Sequence, residues 1–168
     1  MRRGRVMAVL LVAFALLVPS SLLWYRGHFE MGVARSFQAG EPAAAQRVLI
    51  ASQGSPFKDA LVAGIVDHLR SRPVYISVID VSGLPEVKPG DWNAIILIHT
   101  WEYSKPQADA RTFIDRQSDR SKIIVVTTSG SGEARMPGVD AISAASVMDE
   151  PPMPLATVAR RLDAILSQ

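Results

Sequence analysis

The sequence predicts an α/β domain of three layers, a five-stranded parallel sheet between two layers of helix, carried behind an N-terminal membrane-spanning helix. Two observations predict the domain and a third the helix. Five runs rich in β-branched or small apolar residues, at 48–51, 74–81, 93–99, 123–128 and 139–146, alternate with segments of helical spacing or with loops, as parallel strands joined by crossovers do. The runs at 93–99 and 123–128 are continuously apolar rather than alternating, which suits strands covered on both faces. Residues 6–25 contain no charged residue, and a helix of that length spans about 30 Å, the thickness of bilayer hydrocarbon.

The N-terminal segment admits two readings. Arg2, Arg3 and Arg5 precede the apolar run, and Trp24 and Tyr25 close it at the depth favoured by interfacial aromatics. That describes an uncleaved anchor over 1–26. The alternative is a signal peptide, with 7–18 as the apolar region and Val18-Pro19-Ser20 as a small-residue cleavage site. The excess of arginine before the run places the N-terminus inside and the domain outside the cytoplasm, in the periplasm if the cell is bacterial. The 168-residue chain contains no cysteine, which fits either compartment and excludes a lipid-modified cysteine at the N-terminus.

Net charge excludes another class. The chain carries +2, yet from Arg47 onward 13 lysines and arginines face 14 aspartates and glutamates. The surplus therefore belongs to the membrane-proximal part, and no basic stripe interleaved with aromatics marks a nucleic-acid partner. Residues 27–46 read as a linker with scattered apolar positions and then a flexible Ala-Gly-Glu-Pro-Ala tether at 39–45. The domain follows over 47–168.

Each element has its own local warrant. Strand 48–51 leads into a helix over 56–70, with Ser55 as N-cap, Pro56 at the first helical position, and Phe57, Leu61, Ile65 and Leu69 on one face. Pro73 ends that segment and strand 74–81 follows. Residues 82–91 hold two prolines and two glycines, so this crossover is a loop or a single turn. After strand 93–99 a helix beyond Pro106 turns Ala110, Phe113 and Ile114 inward; after strands 123–128 and 139–146 a last helix, 154–166, carries the stripe Leu155, Val158, Leu162 and Ile165.

With RVLIAS opening the domain, DWNAIILIHTWEY at its centre and KIIVVTTSGSGE after it, the region 47–168 resembles the flavodoxin-like family. The lead-in Asn93-Ala94 and the exit Thr100, Trp101 and Tyr103 carry the most specific part of that resemblance. It implies a three-layer α/β/α sandwich of strand order 2-1-3-4-5 and a flavin mononucleotide (FMN) site built by three loops. The implied cofactor-binding residues are Ser52, Gln53, Gly54 and Ser55 in the first, Thr100, Trp101 and Tyr103 in the second, and Ser129 and Gly130 in the third. Phosphate needs convergent amides and hydroxyls at a helix N-terminus, and the isoalloxazine ring needs flat aromatic cover.

The first loop departs from the family's threonine- and glycine-rich phosphate loop, because Pro56 removes an amide and only Ser52 and Ser55 supply hydroxyls. Lys58 adds a positive charge beside it. Two functional classes follow: a membrane-anchored binding or assembly module that keeps the fold without the cofactor, and an FMN-binding electron-transfer flavoprotein with a redox or membrane-protein partner. Other chemistries lack their residues. G-x-S-x-G, a Walker loop and a dinucleotide fingerprint are absent, and His28, His68 and His99 do not stand at metal-ligand spacing. A receiver domain needs an aspartate at the end of the third strand, where His99 and Thr100 stand.

Overall fold

A computed structural model describes Met7 and residues 11–21, 31–146 and 152–168. Residues 11–21 are helical with exposed side chains. The rest of the expected anchor, 1–26, lies outside the described residues, and among these no helix is long and apolar enough to cross a membrane. Residues 32–168 form a separate compact unit.

The predicted parallel strands are present. They are β3 (Gln46–Gly54), β4 (Val74–Asp80), β5 (Ala94–Glu102), β7 (Ile123–Ser129) and β8 (Ile142–Ala145). Their spatial order is β4-β3-β5-β7-β8, all parallel, so the order 2-1-3-4-5 holds for this part. Three short antiparallel strands raise the total to eight. They are β1 (Gly32–Val33) on β3, β2 (Phe37–Gly40) on the outer edge of β4, and β6 (Lys105–Pro106) on β5.

Two of the three come from the segment expected to be a linker. Residues 37–40 have only one partly buried apolar position, Ala39, which packs on the core. So short a segment shows no periodicity of its own, and the open edge of β4 supplies the backbone partners that the sequence pattern could not reveal. The third comes from extension of β5 by three residues past His99, followed by a two-residue turn in which Tyr103 and Ser104 have φ of 49° and 61°. Such a turn matches the twist of a hairpin, but it is normally signalled by Asn-Gly or Asp-Gly.

Helix α1 (Pro56–Leu69) and helix α3 (Pro152–Leu166) pack on one face of the sheet and on each other. Their Leu61, Ile65, Leu69, Val158 and Leu162 meet Val48, Ile50, Ile96, Ile98 and Val126 from the strands. The two helices approach at Gly64, where a Cβ would stand 2.6 Å from a Leu155 methyl group. The opposite face has much less helix. A six-residue 3₁₀ turn, Val81–Glu86, contributes Val81 and Leu84, helix α2 (Ala108–Asp115) contributes Ala110, Phe113 and Ile114, and the loop after β7 contributes Met136. Prolines and glycines at 82–91 produce this turn, as the sequence implies.

At the amino ends of the strands, Asn93 Oδ1 accepts the Arg47 amide at 2.8 Å. The Arg47 guanidinium lies over Tyr75 and Trp92, 4.6 and 5.2 Å from their ring centres. This cation–π contact accounts for a buried Nε with no hydrogen-bond acceptor among the described residues. The carboxyl ends of the strands are very different.

Candidate functional site

Period two places alternate side chains of a strand on opposite faces, and at the carboxyl end of the sheet polar residues replace the apolar ones on both. On the thinly covered face, His99 follows Ile95 and Leu97 and lies beside Thr127, whose Oγ1 is 3.0 Å from His99 Nε2; His99 Nδ1 is 3.1 Å from the Thr100 carbonyl. His99 is fully buried. Burial pushes its pKa down to about 4, so the ring is neutral at physiological pH. On the helical face, Thr100 Oγ1 and Thr128 Oγ1 share a hydrogen bond of 3.1 Å, and Thr128 Oγ1 also donates to the His99 carbonyl.

The first two predicted loops are tied together through Gln53. Its Oε1 accepts the Thr100 amide at 2.7 Å, and both residues are buried. Ser52 is buried as well, with its hydroxyl donating to the Gln53 carbonyl at 3.0 Å. Gly54 ends β3 paired with Gly32, and a Cβ on it would meet the Val33 carbonyl oxygen at 2.6 Å. Glycine is therefore required by the strand lying over it. That strand is pinned beside β4, where Asp80 Oδ2 accepts the Ala34 amide at 2.7 Å while Oδ1 accepts that of Ser82.

Ser55 caps α1, accepting the Lys58 amide at 3.3 Å. The same hydroxyl lies 3.4 Å from Lys58 Nζ. Lys58 is fully buried, and desolvation pulls its pKa down to about 8 against the opposing pull of Glu102 and Asp59. Glu102, at the end of β5, has a buried Oε1 without a hydrogen-bond partner among the described residues.

The aromatic pair separates in depth. Trp101 is half-buried within β5, opposite Pro106 of the hairpin, whereas Tyr103 stands at the hairpin tip and is 70% exposed. In the third loop, the Ser129 hydroxyl accepts the amides of Gly132 and Ala134 at 2.9 and 3.5 Å, and Gly130 is exposed. The structure thus joins Gln53 to Thr100, and Thr100 to Thr128 beside Ser129. It brings Ser55 to Lys58 rather than to Ser52.

Glu102 was not among the expected site residues, and Thr127 was expected only as the first residue of a small hydroxylated loop, 127–133. Their signal was weak. Thr127 sits inside an apolar run, and Glu102 lies three residues beyond the expected end of its strand.

Two cavities border this polar end of the sheet and another lies at the opposite end; one of about 340 Å³ is lined by Ser131 and Gly132 of the third loop. The second, of about 270 Å³, is bordered by Ala34, Phe37, Ser52, Val62 and Val78. A larger one of about 550 Å³ lies at the other end of the sheet beside Arg120 and Arg161, whose guanidinium groups are hydrogen-bonded to Gly138 and Asp140.

The chain is similar in fold to the metal-soaked flavodiiron core of Flv1 from Synechocystis sp. PCC6803, with a TM-score of 0.56 at 14% identity over 74% of this chain. It spans 37% of that protein's chain. An oxidoreductase from Corynebacterium diphtheriae aligns at 13% identity with a TM-score of 0.42, covering 73% of this chain and 93% of the other. No family model matches the sequence, and no curated protein matches it. At such identity the first likeness supports a three-layer α/β fold with a mostly parallel sheet.

Proposed function

We propose that this chain is a flavodoxin-like binding or assembly module, held at a membrane through residues 1–26, whose ligand edge is closed on itself rather than kept open for FMN. The observation that carries this reading is the hydrogen bond from the Thr100 amide to Gln53 Oε1 at 2.7 Å. It uses a main-chain donor of the second loop and the side chain of the first in each other's service. The Ser52 and Ser129 hydroxyls are likewise engaged within the protein, β1 covers Gly54, and Pro56 has no N–H to offer. A phosphate needs several donors aimed outward, and this donor set does not fit one.

A second reading, an FMN electron carrier, is favoured by Trp101 and by exposed Tyr103 at the edge where a flavin ring would be covered. Flavin fluorescence separates the two. When FMN is titrated with the full-length chain to about 100 μM, a concentration that detects even weak binding, no saturable quenching is expected. Saturable quenching that is lost in Trp101→Ala would establish the carrier instead.

A further inference from the structure

We propose that Ser55 and Lys58 form a nucleophile–base pair through which this domain takes an acyl group from an activated ester, an activity that goes beyond binding or assembly. Ser55 is half-buried at the start of a fourteen-residue helix, and Lys58, one turn later, is fully buried with Nζ 3.4 Å from the serine oxygen. A lysine taken out of water gives up its proton more readily, and burial brings this one down to about 8. A useful fraction is then neutral near physiological pH and able to accept a serine proton.

The spacing is S-x-x-K, and a helical turn turns both side chains to the same side. An independent observation marks the place as a ligand site. Glu102 is half-buried, its Oε1 is inaccessible and without a hydrogen-bond donor among the described residues, and Glu102 is near enough to Lys58 for its charge to oppose the fall in the lysine's pKa. Buried carboxylate oxygens are normally satisfied, so this one points to a donor supplied by an incoming molecule. The pair directly follows the carboxyl end of β3, and β3 and β5 are the neighbouring strands whose connections leave in opposite directions, the place where open α/β sheets take their ligands.

The step balances without a further co-reactant beyond water. Ser55 Oγ bonds to the ester carbonyl carbon as its proton passes to Lys58 Nζ. The carbon–oxygen bond to the leaving alcohol then breaks, and that oxygen takes the proton from Lys58. Water attacks the acyl-serine with Lys58 again accepting a proton, the serine oxygen departs and is reprotonated, and a carboxylic acid leaves. The N-terminal end of α1 favours the negative charge that develops on the carbonyl oxygen.

The test treats the full-length chain with a fluorophosphonate probe, in which the serine oxygen displaces fluoride from phosphorus, and maps the adduct by mass spectrometry. Labelling is expected on Ser55, with a rate that rises with pH through an inflection near 8. Ser55→Ala should abolish it, and so should Ser55→Asp, which retains a helix cap. Lys58→Met, of similar volume, should slow labelling about 100-fold and remove the inflection. No adduct, an adduct on another residue, or an adduct on Ser55 whose rate and pH profile survive Lys58→Met overturns the proposal.

Discussion

On one face of the sheet, α1 and α3 lay two long helices against the strands and against each other; on the other, a 3₁₀ turn, the eight-residue α2 and a loop residue, Met136, cover a comparable row of apolar side chains. Both layers bury their strands completely at the centre, since Ile95 and Ile96 point to opposite faces and both are inaccessible. Regular helix is therefore not needed to exclude water. What differs is how the cover is fixed: α1 is held by its own run of helical hydrogen bonds, its cap and α3, whereas the six-residue turn at 81–86 has the Asp80 cap and its packing on α2, β3 and β4.

The largest test of that contrast is truncation of one leucine on each side. Removal of a large buried aliphatic side chain costs about 2–5 kcal/mol, most where the surroundings cannot collapse into the space. Leu61→Ala on α1 should fall near the upper end and Leu84→Ala on the 3₁₀ turn near the lower, as measured by urea denaturation. Equal losses would mean that the turn is as rigid as the helix.

The next test concerns His99, whose side chain lies on the thin face. Its folded pKa of about 4 is below the ordinary 6.5, so the native state favours the neutral ring. Its stabilising contribution is fully present above about pH 6.5 and is lost as pH falls from 6.5 toward 4, at most about 3 kcal/mol for a difference of this size. Wild type should lose more stability than His99→Gln across that window, with thermal melts at successive pH values as the measure. Parallel profiles would show that protonated His99 is accommodated, and that the thin face opens to admit water.

A smaller effect is expected at Asp80, which accepts one amide from the segment after β1 and one from the 3₁₀ turn. Asp80→Ala should cost about 1–2 kcal/mol, the scale of a lost cap. Amide hydrogen exchange should then quicken at Ala34 and Ser82 while α1 stays protected. Faster exchange throughout α1 would erase the distinction between the two layers.

Local patterns made most of the scaffold legible. β-branched runs marked β3, β4, β5 and β7, four-residue spacing marked the buried face of α1, alternating three- and four-residue spacing that of α3, and Ser55-Pro56 marked the start of α1. Punctuation at 82–91 revealed a crossover without a long helix. The candidate site was legible only as a set of loop positions. Gln53 and Thr100 were both named, yet nothing in either neighbourhood indicates that one side chain accepts the other's amide across 47 residues.

By itself, then, the sequence determined the alternation of elements and which faces of its helices are buried, because periodicity and capping act within a few residues, whereas the order 2-1-3-4-5 was implied only by the resemblance to the flavodoxin-like family. Tertiary structure alone decided that residues 32–40 add strands β1 and β2, that β1 lies over Gly54, and that the hydroxyls at the carboxyl end of the sheet bond to one another. Those outcomes depend on which backbone groups are left unpaired once distant strands have met. The same meeting settled the environment of Lys58. A lysine three residues after an N-cap reads as a solvated charge until the fold buries it beside Ser55 and Glu102.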